Sequence, residues 1–173
     1  MPHPALPPGP AKGVEVCIAP AGPELLSFRY TLAGRLGGVK IPGRRASLRA
    51  DELWRHTCFE AFLKAPGGSG YRELNFSPSG EWAAYRFDAY RAGMAVDPEL
   101  DVPQLDIRSA ADVLEMRAQV RLPSVLCAAP ALAVALAAVV ESIDGTLSYW
   151  ALRHAGAKPD FHHPEGFMLE LAR

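Results

Sequence analysis

The chain has 173 residues, of which 49 % are apolar and 21 % are charged, and its formal net charge is −1 at pH 7. This length suits one ordinary domain with a real core. Because the charges are balanced and form no basic or acidic block, the sequence gives no electrostatic support for binding nucleic acid or an anionic membrane. The three cysteines lack CxxC spacing, which argues against a zinc ribbon or a disulfide framework.

The start of the chain is rich in proline, so we expect a loose tail over residues 1–12 and a single domain over residues 13–173. The tail lacks the charged start and apolar stretch of a secretory signal. The longest apolar stretch, residues 125–140, contains Pro130 and is shorter than the roughly 20 residues that a membrane-spanning helix needs. We therefore expect a cytoplasmic protein that does not enter a membrane.

Short strand candidates precede the most informative part of the chain. Residues 14–18 and 25–32 have strand character, and a third strand is expected within the glycine-rich residues 34–43. Residues 49–54 are expected to form one helical turn.

Residues 57–89 contain three runs of alternating apolar and polar side chains, at 57–63, 71–77 and 81–89. Period-two alternation with aromatic enrichment is typical of strands. The turn sequences GGSG and SPSG separate the runs, and the second fits a turn with Pro in its second position. This region therefore predicts a three-stranded antiparallel meander.

Alternation decides which side chains share a face of that meander. We place Glu60, Glu73, Asn75 and Arg86 on one face, with Trp82 beside them. Carboxylates, an amide and a guanidinium can form fixed hydrogen bonds to a polyhydroxylated ligand, while aromatic rings offer flat apolar surface. The alternative is that this face is the solvated side of an antiparallel sheet.

The second half of the chain continues the strand pattern. A long irregular connection, residues 92–110, carries a short strand candidate at 105–107, and residues 113–122 alternate cleanly. Residues 131–141 hold larger side chains at most even positions and alanines at most odd ones, which favours a strand covered on both faces. A turn at Asp144-Gly145 leads into a strand at 147–154, and residues 167–171 form the last one. Nine or ten strands with little helix predict an all-β, two-sheet antiparallel β-sandwich.

Two kinds of reactive cluster were considered. His154 and His162 are weak candidates for metal ligands, but one packed and one exposed histidine is the favoured interpretation near the C-terminus, so we expect no bound metal or cofactor. Glu60 and Glu73 lie on facing predicted strands, with Glu141 as a third candidate, and could act as the carboxylate pair of a sugar hydrolase. Such carboxylates are more often structural partners of arginines such as Arg55, so catalysis is not favoured.

Four stretches resemble a known family: LWRHTCFEAFL, YRELNFSPSGEWAAYRF, VVESIDGTLSYWAL and PDFHHPEGFMLEL. Together they are similar to the DOMON-like proteins of bacteria, which are related to the family 9 carbohydrate-binding modules. The resemblance runs from about Trp54 to Leu171. It maps the family's pattern of tryptophan, acidic strand, Tyr-x-Glu-x-Asn strand and glycine turn onto Trp54, Glu60, Tyr71, Glu73, Asn75 and Gly80. It implies a β-sandwich that binds sugars or haem, usually without catalysis of its own.

These observations lead to one hypothesis, a non-catalytic protein that binds a small polar molecule, most simply a carbohydrate. Its predicted floor is the meander face described above, its rim contains Trp54, Arg55 and His56, and Trp82 or Trp150 supplies a stacking plane. The full set of predicted ligand-binding residues is Trp54, Arg55, His56, Glu60, Tyr71, Glu73, Asn75, Trp82, Arg86, Glu141 and Trp150. The alternatives are a haem- or metal-binding protein that uses His154 or His162, a carboxylate-dependent hydrolase acting on a sugar, and a purely structural module.

Overall fold

A computed structural model describes residues 1–7 and 9–172. The described residues form two antiparallel sheets whose inner faces pack together, which confirms the predicted all-β sandwich. The strands are β1 Ala11–Pro20, β2 Leu25–Gly34, β3 Cys58–Lys64, β4 Tyr71–Phe76, β5 Trp82–Phe87, β6 Ala95–Val96, β7 Gln104–Ser109, β8 Val113–Arg121, β9 Ala131–Glu141, β10 Leu147–Ala151 and β11 Leu169–Ala172. One short helix, α1 Ser124–Cys127, and 3-10 turns at Leu36–Gly38, Leu53–Arg55 and Pro164–Gly166 connect them.

The smaller sheet has the strand order β1-β2-β8-β7, and the larger sheet has the order β10-β9-β3-β4-β5-β6. The strand β11 pairs with the first half of β9, and β10 pairs with its second half. The predicted meander is thus the centre of the larger sheet, as β3, β4 and β5. Its second turn closes with a hydrogen bond from the Gly80 N–H to the Ser77 carbonyl at 2.9 Å, and the positive φ of Gly80, 98°, explains the glycine there.

The main core lies between the two sheets. Phe28 and Tyr30 of β2 are fully buried against the larger sheet, and the ring of Tyr30 lies 4.9 Å from that of Phe59. Fully burying one such side chain contributes roughly 1.5–3 kcal/mol. The Tyr30 hydroxyl donates to the main-chain carbonyl of Glu60 at 2.9 Å, which fixes the smaller sheet to β3 directly behind the Glu60 side chain.

The larger sheet is also covered on its outer face. A second apolar cluster lies there, built on Phe62, Tyr85 and Phe87, and segments outside the sheet pack on it through Trp54 and Phe161. The alanines at odd positions of β9 belong to this face, where their small size leaves room for the covering segments. The interpretation of this face as a solvated surface is therefore wrong, because loops exclude water from most of it.

Several local predictions differ from the structure. The expected strand within residues 34–43 is the 3-10 turn Leu36–Gly38 followed by a single bridge from Val39 to Ser142. The start of the chain also contacts the sheet: Pro2 bridges to Trp150, and the buried His3 donates its main-chain N–H to Tyr149 at 2.8 Å. Residues 1–7 are thus not the loose tail that their prolines suggest, and Pro8 lies outside the described residues. No helix in the described part of the chain is long and apolar enough to cross a lipid bilayer.

Candidate functional site

A cavity of about 440 Å³ lies on the outer face of the larger sheet, around the side chain of Glu60. We call it the Glu60 pocket. Its floor comes from the larger sheet, and its walls come from the segment before β3, the loop after β5 and the segment between β10 and β11. The lining residues are Trp54, Arg55, Glu60, Glu73, Phe87, Arg91, Met94, Val139, Leu147, Tyr149, Pro159, Phe161 and His162.

Strand register explains why a cavity forms at this point. Glu60 lies opposite Asn75 on β4 and opposite Ala137 on β9. Asn75 in turn lies opposite Ala83 on β5. Because two of these positions on the same face are alanines, the sheet surface beside the carboxylates lacks the bulk that fills it elsewhere.

Glu60 is the most unusual group in the pocket. Its exposed fraction is only 3 %, and within the described residues its Oε1 atom has no hydrogen-bond partner. Burial, and then the nearby charge of Glu73, raise the pKa of Glu60 well above its ordinary value. A buried acceptor without a donor costs free energy in the folded state, on the order of 1–3 kcal/mol. Such a group is expected where a ligand supplies the missing partner.

Glu73 is equally buried, with an exposed fraction of 4 %, but it has a partner. The side-chain amide of Asn75 donates to its Oε1 at 2.7 Å. Burial raises the pKa of Glu73, while this hydrogen bond and the positive charge of Arg91 oppose the rise. The Cys58 thiol donates to the side-chain Oδ1 of Asn75 at 3.6 Å, so the Asn75 amide is held from both sides beneath the pocket.

His162 covers Glu73 from the C-terminal segment. The Tyr71 hydroxyl lies 2.8 Å from His162 Nδ1 and accepts the Arg91 main-chain N–H at 3.3 Å. The Tyr71 hydroxyl thus links the His162 ring to the loop after β5, and the other ring nitrogen, Nε2, lies 3.8 Å from Glu73 Oε2. Burial, and then the charge of Arg91, lower the pKa of His162 to about 4, so this ring is neutral at pH 7.

An ion pair holds the outer wall together. Arg91 Nη2 lies 2.7 Å from Asp160 Oδ1, and the Tyr90 hydroxyl donates to the other oxygen of the same carboxylate. Asp160 also accepts the main-chain N–H of His162 at 3.1 Å. Arg91 has a left-handed backbone with φ of 52°. The loop after β5 and the segment before β11 are thereby joined across the pocket.

Aromatic rings supply much of the apolar lining. Trp54 is half-buried and meets Tyr85 edge to face, with ring centroids 5.8 Å apart. On another side of the pocket, the ring centroids of Tyr149 and Phe161 lie 6.0 Å apart. Carboxylates on the floor and rings on the walls form a surface that can hydrogen-bond a small polar molecule and stack on its apolar face.

The structure brings six of the predicted residues together. Trp54, Arg55, Glu60 and Glu73 line the Glu60 pocket, whereas Tyr71 and Asn75 support it through the hydrogen bonds described above.

The predicted positions of Trp82, Trp150 and Arg86 are wrong. Both tryptophans, each 5 % exposed, belong to the core between the sheets. In the register of β4 and β5, Arg86 lies opposite Arg72, on the face of the sheet opposite to Glu73, and the Arg86 side chain is exposed. Alternation within β5 is as expected, but the register places Tyr85, not Trp82, on the face of Glu73.

The remaining predicted residues lie outside the pocket lining. His56 Nδ1 and Lys40 Nζ lie 2.8 Å and 2.7 Å from the two oxygens of Glu141. Desolvation opposes the ionisation of Glu141, but the hydrogen bonds from Lys40 and His56 outweigh it and lower the pKa. This cluster holds both oxygens of Glu141 against Lys40 and His56, outside the lining of the Glu60 pocket.

His154 and His162 have different neighbours. His154 packs edge to face on His3 and contacts the Met1 carbonyl, away from the pocket lining. Across residues 1–7 and 9–172, no group of three or more His, Cys, Asp or Glu side chains is arranged to hold a metal ion.

Sequence reasoning missed several lining residues. The residues Phe87, Arg91, Met94, Tyr149 and Phe161 line the pocket but were not selected. The signal for Phe87 is its shared parity with Tyr85, once the register is known. The others come from loops and from β10, whose distance to Glu60 depends on long-range pairing.

Comparison with known proteins supports the fold. No protein-family profile matches the chain, and no curated protein matches it. A crystal structure from Bacteroides uniformis, described as a "putative carbohydrate-binding protein", aligns with a TM-score of 0.60 and 12 % sequence identity. The alignment covers 88 % of this chain and 75 % of that one. At this identity the likeness establishes a shared fold.

Proposed function

We propose that this protein is a non-catalytic binder of a small polyhydroxylated molecule, most simply a carbohydrate, which occupies the Glu60 pocket. The observation that carries the proposal is the buried carboxyl group of Glu60, whose Oε1 has no partner among the described residues and whose side chain lines a cavity with aromatic walls. A ligand hydroxyl is the simplest donor to complete it.

The size and lining of the pocket support this proposal. A volume of about 440 Å³ falls within the range of roughly 300–1,000 Å³ that is common for small-molecule sites. Acceptors on the floor and donors such as Arg55 at the rim can form hydrogen bonds with several hydroxyl groups of one ligand. The ring of Trp54 offers a plane on which the apolar face of a sugar can stack.

Two further observations favour a sugar. The structural neighbour from Bacteroides uniformis is described as carbohydrate-binding, and the two chains share the fold. The sequence resemblance to family 9 carbohydrate-binding modules also includes Trp54, Glu60 and Glu73, which meet in this pocket. Both are arguments by likeness and add to the geometric one.

Calorimetric titration with a panel of monosaccharides and polyols tests the proposal. At least one member should bind, and Glu60→Gln should weaken its binding about tenfold, because the variant replaces one acceptor oxygen with an amide NH2 group that cannot accept a hydrogen bond from a ligand hydroxyl. Arg86→Gln is the matched control, since Arg86 is exposed on the other face, and should bind normally. Binding that is equal in the wild type and in Glu60→Gln would contradict the proposal, as would the failure of every compound to bind.

The same carboxylates favour one second candidate, a glycoside hydrolase. The raised pKa of Glu60 favours its protonated form, and the hydrogen bond from Asn75 stabilises the anion of Glu73. The two carboxyl groups could therefore act as an acid and a base. Release of a chromophore from aryl glycosides would reveal this activity. Turnover that is lost in both Glu60→Gln and Glu73→Gln would replace the non-catalytic proposal.

A further inference from the structure

We infer that the ligand of the Glu60 pocket carries a protonated amine, as an amino sugar does, and that this ammonium group binds Glu60. The inference rests on the proposed function and deepens it by naming the chemical class of the ligand. Its basis is the balance of charge inside the cavity together with the nature of its walls.

The floor of the pocket holds two carboxyl groups whose surroundings contain few free cations. Arg91 already pairs with Asp160 at 2.7 Å, and Arg55 pairs with Glu52 at 2.7 Å. His162 is neutral at pH 7. Among the described residues, no cationic side chain forms a salt bridge with Glu60, and the donor to Glu73 is the neutral amide of Asn75.

A neutral hydroxyl and an ammonium group interact differently with these two carboxyl groups. A hydroxyl provides one donor to Glu60 but no positive charge that would stabilise its ionised form. An ammonium group provides several donors and a positive charge, and charge-assisted hydrogen bonds are about twice as strong as neutral ones. Because Glu60 is buried, the attraction is screened less than it would be at the surface.

The walls add a second attraction for a cation. Trp54, Phe87, Tyr149 and Phe161 line the same cavity as Glu60. The faces of aromatic rings attract ammonium groups within about 6 Å of their centroids. A carboxylate floor with aromatic walls therefore suits an amine-bearing ligand better than a neutral one of the same size.

The proton balance follows from the groups that face Glu60. Burial raises the pKa of Glu60, so without ligand its carboxyl group retains a proton to a higher pH than an exposed glutamate does. When an ammonium group binds, the carboxyl O–H bond breaks, the proton goes to the buffer, and the resulting carboxylate pairs with the ammonium. A neutral sugar leaves this proton in place. The titratable groups around Glu60 and the pocket are Glu73 on β4, Cys58 on β3, Tyr30 on β2, Tyr149 on β10 and, from the covering segments, Arg55, Arg91 and His162.

Calorimetric titration with matched sugars tests the inference. The probes are glucosamine, glucose and N-acetylglucosamine, with the corresponding galactose and mannose sets, each in two buffers that differ in ionisation enthalpy. The pH is slightly acidic, so that the free amines are protonated. We expect at least one amino sugar to bind about tenfold more tightly than its neutral parent, with a heat that differs between the buffers because a proton is released.

Variants separate the carboxylate from general charge effects. Glu60→Gln should reduce the preference for the amine to less than about threefold and remove the buffer dependence. Glu115→Gln, on the other sheet beside Arg117, should keep both properties. Equal binding of amino and neutral sugars by the wild type would overturn this inference and leave the proposed function standing. Failure of every sugar to bind would overturn the proposed function as well as the inference.

Discussion

Glu60 and Glu73 lie on neighbouring strands with their carboxyl groups on one buried face, and burial, followed by the charge of Glu73, raises the pKa of Glu60. The two groups differ in one respect. Glu73 accepts a hydrogen bond from Asn75, whereas Oε1 of Glu60 has no partner within residues 1–7 and 9–172. The protein thus keeps one buried carboxyl group in a state that destabilises the fold, which is a common property of binding and catalytic sites.

The first prediction concerns stability against pH. Between the ordinary glutamate pKa, 4.5, and its raised value in the folded state, folded Glu60 keeps a proton that the unfolded chain has lost. The free energy of unfolding should therefore fall as pH rises above about 4.5. Glu60→Gln removes this loss of stability. The difference in melting temperature between the variant and the wild type should therefore become more favourable to the variant as pH rises. This difference should increase steadily from pH 4.5 up to the raised pKa of Glu60 and stay constant above it.

Thermal melts of both proteins between pH 4 and 8 measure this difference. Glu170→Gln, on the exposed strand β11, is the matched control and should parallel the wild type. A constant difference between Glu60→Gln and the wild type over the whole range would show that Glu60 titrates as an exposed glutamate does.

The second prediction concerns tryptophan fluorescence. Trp54 lines the Glu60 pocket, whereas Trp82 and Trp150 lie in the core between the sheets. Ligand binding should therefore change the emission of Trp54 and leave that of the other two unchanged. Trp54→Phe should abolish the ligand-dependent change and weaken binding about tenfold, since ring stacking is reduced. A signal that survives in Trp54→Phe and disappears in Trp82→Phe would place the ligand elsewhere.

The third prediction concerns the ion pair between Arg91 and Asp160. Arg91→Ala should cost less than about 1 kcal/mol of stability, because the arginine side chain is half exposed. It should nevertheless weaken ligand binding several-fold, since Asp160 and the following His162 are held against the pocket through this pair. Urea unfolding and calorimetric titration measure the two effects separately.

Arg86→Ala is the control for Arg91→Ala. The Arg86 guanidinium lies 3.9 Å from Asp88, a weak contact on the other face, so both stability and binding should change little. If Arg91→Ala binds ligand as well as Arg86→Ala does, the C-terminal segment does not depend on the ion pair for its position.

The fourth prediction concerns His162. Its pKa of about 4 lies below the ordinary value of 6.5, so the unfolded chain gains this proton first as pH falls. The contribution of His162 to stability is therefore full above pH 6.5 and is lost as pH falls towards 4. A proton NMR titration of the imidazole should show a midpoint near 4. A midpoint near 6.5 would mean that the ring is exposed and does not cover Glu73.

The fold was largely predictable because short-range patterns determine it. The alternation of residues 131–141 predicted β9 despite its alanines, and the Asp144-Gly145 turn predicted the hairpin that follows. The sequence patterns gave wrong predictions where tertiary contacts determine the local structure. Val39 forms a bridge with Ser142 and no strand, and Pro2 and His3 are held by pairing with β10.

The site was only partly predictable. Alternation shows which side chains of one strand share a face, but it does not show which face of the neighbouring strand lies on the same side of the sheet. Glu60, Glu73 and Asn75 were placed together correctly, since the turn between their strands is short and the register is simple. Trp82 and Arg86 were assigned to that face from their strand alone, and the observed register reverses the assignment. Arg91 and Phe161 lie on loops, whose positions follow from contacts that no local pattern encodes.

A crystal structure of the complex with the tightest ligand from the sugar panel tests the central claim most directly. Our account predicts ligand density in the cavity beside Trp54, with a hydroxyl or amine within about 2.6–3.2 Å of a carboxyl oxygen of Glu60. Ligand density on any other surface, with Oε1 of Glu60 still lacking a donor, would contradict it.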